Sequence, residues 1–137
     1  MKVALSAADE FVAPYITEML GDSLVEIPDE ALEDSSVLDA LLTPCNSLIH
    51  INSRPVDTSV ARDDREALVI MREKARPILD AVDRHGSLHM IIIGTLRVHP
   101  QWEIGEEYYG LDSTLAPRDV AAEGQLWIEE NALERAE

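Results

Sequence analysis

The sequence predicts an α/β fold with a largely parallel sheet, and three observations support this prediction. Short apolar runs, typical of buried strands, alternate with segments whose apolar residues recur every three or four positions, the period of a helix. The links between these segments are short and often contain Gly or Pro. Residues 1–20 read as a strand that runs directly into a helix, which is the first half of a βαβ unit.

Length and composition indicate one globular domain over residues 1–137. The chain is 46% apolar, which is typical of a folded protein with a sizeable core. No apolar run approaches the roughly 20 residues that cross a bilayer, and no signal peptide is evident, so we expect a cytoplasmic protein. Cys45 is the single cysteine, which excludes an intrachain disulfide and a cysteine-based metal cluster.

The formal net charge of −16 limits the ligands that the chain can bind. Such an excess of carboxylates opposes binding to nucleic acid and to anionic membranes, so we expect neither as a partner. It also opposes any anionic cofactor that lacks a local basic pocket. Solubility or adaptation to salt is the simplest explanation for the charge.

The first half of the chain is predicted to contain three strands and two helices. The strands are residues 2–7, 23–27 and 47–52, the last of them apolar enough to lie centrally in a parallel sheet. Ser35 and Ser36 are candidate caps for a short helix that ends at Leu42. The apolar face of the first helix is assigned to five residues: Val12, Tyr15, Ile16, Met19 and Leu20.

The second half is predicted to hold two longer helices around one strand. A helix over residues 63–84 has an apolar seam, contains Pro77 and is followed by Gly86 as a candidate C-terminal cap. Residues 88–93 form the most hydrophobic run in the chain, so we expect this strand at the centre of the sheet. Pro117 fits the first turn of a last helix that ends near residue 135. Its buried contacts are assigned to three residues: Trp127, Ile128 and Leu133.

Several segments, in their order along the chain, resemble one enzyme family. They are SAADEFVA (6–13), SLIHINSRP (47–55), ARPILDAVDRHG (75–86), LHMIIIGTLRVHP (88–100) and QLWIEE (125–130). This series is similar to the extended, epimerase/dehydratase branch of the short-chain dehydrogenases/reductases. The resemblance implies a Rossmann-like three-layer fold that corresponds to the N-terminal, nucleotide-binding half of that family. The family's C-terminal substrate-binding region has no counterpart in the sequence.

The glycine-rich loop of the family is altered here. Ala7, Glu10 and Ala13 occupy its three glycine positions. Alanine at the first position removes the freedom for a tight turn with positive φ. Glutamate at the second position puts bulk and negative charge where a pyrophosphate would lie. The resemblance therefore implies a nucleotide-binding frame without its phosphate-binding chemistry.

The resemblance also locates the family's catalytic positions. The catalytic Ser/Thr position is Thr95, whereas the Tyr and Lys positions are occupied by Ala121 and Gln125. In the family the tyrosine is the general acid/base, and the lysine lowers its pKa. Tyr108 and Tyr109 lie too early in the chain and have no lysine four residues later. We therefore expect no hydride chemistry of the family's kind.

Other residues take the family's cofactor-binding positions without its characteristic residue types. Asp29 falls where an acid would hold the adenosine ribose, although an exposed loop aspartate explains it as well. The remaining positions are Ala7, Asp9, Glu10, Phe11, Val12, Asn52, Ser53 and Arg54. We expect no bound cofactor, and NAD(P) if there is one.

Two further kinds of site were considered. A zinc shell would draw on His50, His89 and His99 with Glu103 or Glu106, but no histidine pair has helical ligand spacing, so we expect no metal. A small anionic ligand would be held by arginines at the carboxyl ends of the strands; the candidates are Arg54, Arg62 and Arg97. The sequence has no G-x-S-x-G elbow.

The sequence leaves three functional hypotheses. The first is a non-catalytic Rossmann-like protein that serves binding or assembly, as a homodimer through helices 63–84 and 118–135 or as a partner of a full-length dehydrogenase subunit. Met71 and Trp127 are its candidate interface residues. The second is an NAD(P)-dependent epimerase/dehydratase-like enzyme with altered cofactor contacts. The third is a small-ligand sensor that uses Asn52, Arg54, Thr95 and Arg97.

Overall fold

The computed structural model describes residues 1–6, 12–51, 61–94, 115–117 and 119–136. Four strands and four helices lie in these ranges: β1 (Lys2–Ser6), α1 (Ala13–Leu20), β2 (Leu24–Glu26), α2 (Ser35–Leu42), β3 (Cys45–Ile51), α3 (Asp64–Arg84), β4 (His89–Ile93) and α4 (Val120–Ala136). Two short 3₁₀ helices, Gly21–Ser23 and Asp29–Glu33, flank β2. No helix in the described ranges is long and apolar enough to span a bilayer.

The four strands form one parallel sheet in the order β2-β1-β3-β4. This confirms the predicted α/β class and the central place of β3. The prediction that β4 lies at the centre was wrong, because in the described sheet β4 is an edge strand. Its hydrophobic sequence reflects contacts on both faces and not a central position.

Alternation along the strands divides the core into two layers. On one face, Leu5 and Ile51 pack against Ala13 of α1. On the other face, Ala4 and Leu48 pack against residues of α2 and α3. Helix α4 packs along α3, where Met71 contacts the position of Gly124. The sheet thus lies between α1 on one side and the remaining helices on the other.

Aspartates cap three of the four described helices. The side chain of Asp34 accepts hydrogen bonds from the backbone N–H groups of Ser36 and Val37, so Asp34 and not the two serines begins α2. The side chain of Asp63 caps α3 by accepting a hydrogen bond from the N–H of Glu66. This agrees with the predicted start of that helix near residue 63. Asp119 accepts from the N–H of Ala122 at the start of α4.

The predicted roles of Pro117 in the first turn of α4 and of Gly86 as the C-terminal cap of α3 were wrong. Pro117 precedes α4 by three residues and does not lie in its first turn. Helix α3 ends at Arg84 with His85 as its C-cap, and Gly86 has no positive φ. Among the described glycines only Gly21, at the predicted turn after α1, has one, with φ of 48°.

Some residues predicted to be buried are exposed instead. Tyr15 and Met19 are 65% and 84% exposed, because α1 packs through Ala13 and its neighbours Val12 and Ile16. Leu133 near the end of α4 is 70% exposed, whereas Ile128 is buried as predicted. Both α1 and α4 are helices, as their apolar spacing predicted. The face of each helix that packs against the rest of the chain is narrower than the distribution of apolar residues suggests.

Met71 does not have the role assigned to it in a dimer. It is 5% exposed and packs within the chain against Gly124, so it is not available to a partner. Trp127 is half-buried, and the guanidinium of Arg72 lies 5.4 Å from its ring centroid. The contact between α3 and α4 thus uses both residues inside one protomer.

Candidate functional site

The candidate site is the edge of the sheet at which the parallel strands end. Ser6 is the last residue of β1, Ile51 ends β3, and Gly94 directly follows β4. Open α/β sheets bind ligands in the crevice outside the carboxyl ends of their strands. The described side chains at this edge therefore show what chemistry the crevice offers.

A buried serine–histidine pair joins β1 to β3 at this edge. The hydroxyl oxygen of Ser6 lies 2.7 Å from Nδ1 of His50, and the two residues are register partners in adjacent strands. Both face the layer of α2 and α3, and they are 1% and 5% exposed. Burial lowers the pKa of His50 to about 4, since an imidazolium there would lose its hydration. The imidazole is therefore neutral at physiological pH.

The second ring nitrogen of His50 is buried and is not satisfied by the described part of the chain. Nε2 has no hydrogen-bond partner among the described residues, and it is shielded from solvent. A neutral imidazole has one N–H donor and one lone-pair acceptor, so the pairing of Nδ1 with Ser6 leaves one of these functions unsatisfied at Nε2. An unsatisfied buried polar atom costs about 1–3 kcal/mol.

A second polar cluster lies where β4 ends. Nε2 of Gln125 donates a hydrogen bond of 2.6 Å to Oε1 of Glu129, one turn further along α4. Both side chains lie over Gly94, where an added Cβ would overlap Oε1 of Glu129 and lie 2.7 Å from Nε2 of Gln125. The absence of a side chain at Gly94 leaves room for the ends of these two side chains.

Gln125 is the functionally informative member of this cluster. It is 1% exposed, and its carbonyl oxygen Oε1 has no partner in the described ranges, like Nε2 of His50. The structure places it beside Gly94, the residue that follows β4. A neutral amide bonded to a carboxylate has no positive charge with which to lower the pKa of a phenol or to hold a ribose. Position 121, one turn earlier in α4, is an alanine, a residue type that has no proton to exchange.

Most of the predicted site residues cannot be compared with the structure. Ala7, Asp9, Glu10, Phe11, Asn52, Ser53, Arg54 and Thr95 lie outside the described residues, as do Arg97, His99, Glu103 and Glu106. Their assignments stay predictions.

The predicted residues that are described have mainly structural environments. Val12 precedes α1, and its carbonyl oxygen accepts a hydrogen bond from the N–H of Ile16. Asp29 begins the 3₁₀ helix after β2 and is exposed. Arg62 forms an ion pair with Glu66 at the start of α3. These contacts assign no ligand to the three residues.

Of the candidate metal ligands, His50 and His89 lie in the described ranges, and the structure does not place them together. His50 is buried beside Ser6, whereas His89 lies exposed at the start of β4. Within the described ranges, no group of three or more His, Cys, Asp or Glu side chains is placed to hold a metal ion.

Sequence analysis missed the partnerships of His50 and Gln125. His50 was considered only as a metal ligand, and neither Ser6 nor Glu129 was singled out as a partner. A signal was available, because Ser6 and His50 are polar residues at the ends of two apolar strands. Polar residues at equivalent ends of neighbouring parallel strands face each other whenever their register places them on the same face.

Comparison with known proteins supports the fold and not a particular activity. No protein-family model and no curated protein matches the sequence. Solved structures do match, among them the UDP-glucose 4-epimerase of Thermus thermophilus in complex with NAD, with a TM-score of 0.74 at 15% identity. The dTDP-glucose 4,6-dehydratase of Bacillus anthracis, in complex with NAD, has a TM-score of 0.74 at 8% identity. The dTDP-4-dehydrorhamnose reductase of Yersinia enterocolitica has a TM-score of 0.71 at 14% identity.

These matches cover nearly the whole chain but only part of the neighbours. They span 95%, 98% and 98% of this chain, and 49%, 50% and 48% of the respective neighbours. The chain thus spans about half the length of these enzymes. The resemblance is confirmed at the level of the fold: the chain has the Rossmann-like α/β fold of about half of these epimerase, dehydratase and reductase structures.

Proposed function

We propose that this chain is a non-catalytic Rossmann-like module that serves binding or assembly and does not transfer hydride. The proposal rests on the environment of Gln125. Its neutral amide is buried and donates a hydrogen bond to Glu129 at the end of β4. In the resembled family a lysine at this position activates a tyrosine, and here that tyrosine position is Ala121. Without a phenol and an ammonium group, the family's proton transfer has neither donor nor activator.

The charge distribution supports the absence of a dinucleotide cofactor. Glu129 places a carboxylate beside the end of β4, and Glu10 takes a glycine position of the phosphate-binding loop. In the resembled family the pyrophosphate binds at the loop after β1, where Glu10 would add a carboxylate to a chain whose net charge is already −16. The resulting repulsion opposes binding of a dinucleotide. We therefore infer that the crevice serves protein assembly or binds a small ligand that is rich in hydrogen-bond donors.

The alternative is an enzyme that binds NAD(P) through altered contacts. It is favoured by one observation, that the epimerase and dehydratase structures with this fold were solved in complex with NAD. Such an enzyme would need a proton-transfer group other than the missing tyrosine, and Thr95 with a histidine is the candidate. Of the described histidines, His50 lies nearest to the required strand ends but is already paired with Ser6.

Turnover assays separate the proposal from this alternative. The full chain is incubated with NAD(H) or NADP(H) and with UDP-glucose or dTDP-glucose, and both nicotinamide absorbance and sugar product are measured. We expect no product above the protein-free rate. Product formation that is lost in the Thr95→Ala variant, and retained in a Thr43→Ala control on the exposed end of α2, would establish the enzyme hypothesis instead.

A further inference from the structure

A groove of about 660 Å³ lies between β4 and the C-terminal halves of α3 and α4. Its volume is in the range of about 300–1,000 Å³ that is typical of sites for small molecules. The groove follows the helix-covered face of β4, with Gly86 at one end and with Ile92 and Glu129 at the other. It is therefore large enough to hold a small organic molecule.

Much of the surface that lines the groove is apolar. Leu79 and Leu88 are buried residues that line it, and Met90 and Ile92 of β4 are half-buried beside them. Leu133 of α4 also lines the groove and is 70% exposed. Removal of such surface from water is favourable and depends little on direction, so the groove favours a ligand with an apolar body.

The guanidinium at one end of the groove is already paired. Arg135 lines the groove, and its nitrogen atoms lie 2.7 Å from Oδ2 of Asp83 and 3.1 Å from Oδ1 of Asp80. Asp83 and the exposed His89 line the same end. Since this guanidinium contacts two carboxylates, it is poorly placed to hold an anionic ligand as well.

The carboxylate of Glu129, at the other end, is not balanced by a cation. Its Oε1 accepts a hydrogen bond from the neutral amide of Gln125, and no Lys, Arg or His side chain in the described ranges forms an ion pair with it. Arg135 is the one basic residue of α4 and lies six residues further on, or about 9 Å along the helix axis. A half-buried carboxylate beside apolar surface attracts a cation more strongly than one in open water, because the local dielectric constant is lower.

We propose that this groove binds a small organic cation, whose apolar body lies along β4 and whose ammonium group contacts the carboxylate of Glu129. The groove spans the three residues from His89 to Ile92, which corresponds to about 10 Å of strand and suits a bicyclic or medium-length aliphatic body. The net charge of −16 favours the approach of a cation. This inference goes beyond the proposed function, and the turnover and dinucleotide tests do not depend on it.

The first experiment compares three probes that share one apolar body and differ in charge: naphthylethylamine, naphthylethanol and naphthylacetate. Each is titrated into the full chain, and amide NMR shifts give both the dissociation constant and the location of binding. We expect the amine to bind at least about threefold more tightly than the alcohol, and the acetate to bind more weakly than the alcohol. The shifts should be concentrated in β4 and in the second half of α4.

The second experiment removes the charge of Glu129. In Glu129→Gln the side chain retains an acceptor for Gln125, so we expect the amine to bind no more tightly than the alcohol, whose affinity should not change. Glu130→Gln is the matched control, because it removes the same charge from an exposed neighbour that is not among the residues lining the groove. It should retain the preference for the amine.

The third experiment tests the apolar wall. Leu133→Ser should weaken the binding of both the amine and the alcohol, whereas Leu115→Ser, at a similarly exposed leucine that does not line the groove, should weaken neither. Circular dichroism confirms that the variants are folded. Failure of the amine to bind, or equal affinities of the amine and the alcohol, would overturn the proposal. So would a preference for the amine that Glu130→Gln reduces as much as Glu129→Gln, or NMR shifts confined to α1 and β2.

Discussion

The hydroxyl of Ser6 and Nδ1 of His50, 2.7 Å apart, join the last residue of β1 to the penultimate residue of β3. The contact is buried at the carboxyl ends of the two strands. In open α/β sheets the ligand crevice lies outside these strand ends. The pair therefore fixes the relative position of the two strand ends on which the crevice is built.

The pH dependence of stability should report the burial of His50. Its pKa is about 4 in the folded chain against 6.5 in the unfolded chain, so the neutral form is favoured by folding. Above pH 6.5 the imidazole of His50 is neutral in both the folded and the unfolded chain, so it does not change the free energy of unfolding as the pH varies. As the pH falls from 6.5 to 4, only the unfolded chain takes up the proton, and the free energy of unfolding should fall by roughly 3 kcal/mol. Urea denaturation at a series of pH values measures this change.

Substitution of His50 isolates this contribution from that of the carboxylates. In His50→Asn, whose amide reaches the position of Nδ1, the slope between pH 6.5 and 4 should be markedly smaller than in the wild type. His89→Asn alters an exposed histidine of β4 and should retain the wild-type slope. Equal slopes for His50→Asn and the wild type would show that His50 is not held neutral by the fold.

A side chain at Gly94 should disturb the hydrogen bond between Gln125 and Glu129. In Gly94→Ala the new Cβ would overlap Oε1 of Glu129 and lie 2.7 Å from Nε2 of Gln125, so the ends of these two side chains must move. We expect a loss of about 1 kcal/mol in the free energy of unfolding, measured by urea denaturation, because one hydrogen bond is weakened. Gly86→Ala, where an added Cβ meets nothing within 4 Å, should change it by less than about 0.5 kcal/mol. Similar losses for both variants would show that the hydrogen bond does not depend on the space at Gly94.

Restoring glycines to the loop after β1 should improve nucleotide affinity without creating turnover. Ala7→Gly/Glu10→Gly frees the turn and removes one carboxylate from the pyrophosphate position, so we expect NAD(H) to bind at least about tenfold more tightly by calorimetry. The matched control is Ala8→Gly/Asp9→Gly, which makes the same changes at positions that are not glycine in the family. Hydride transfer should stay absent in both, because Ala121 and Gln125 are unchanged. Equal affinities of the two double variants for NAD(H) would show that the residues at positions 7 and 10 are not what weakens binding.

The fold could be predicted largely from local patterns. All four described strands and all four described helices were anticipated, and the predicted start of α3 near residue 63 was correct. Such features depend on residues that are near each other in sequence. The wrong predictions concern burial and position, as with Tyr15, Met19 and the place of β4 in the sheet. Those properties depend on which other elements pack nearby, and apolar residue type alone does not determine them.

The candidate site was predictable only in part for the same reason. The position of Gln125 on the last helix could be read from the sequence, because spacing along a helix is a local property. The bond between Gln125 and Glu129 and the close approach to Gly94 depend on the packing of α4 against the sheet. The pairing of Ser6 with His50 needs the register of two strands 44 residues apart, which the sequence does not specify.

Thermal unfolding of the pure full chain, with and without millimolar NAD(H), NADP(H) or nucleotide sugars, tests the central claim most directly. A ligand at about 100 times its dissociation constant stabilises the fold by about 2.7 kcal/mol, which raises the midpoint by several degrees. We predict no shift with any of these ligands, because Glu10 takes a glycine position of the phosphate-binding loop in the resembled family. A clear shift with one dinucleotide would contradict the account and show that the chain retains the cofactor-binding function of its structural neighbours.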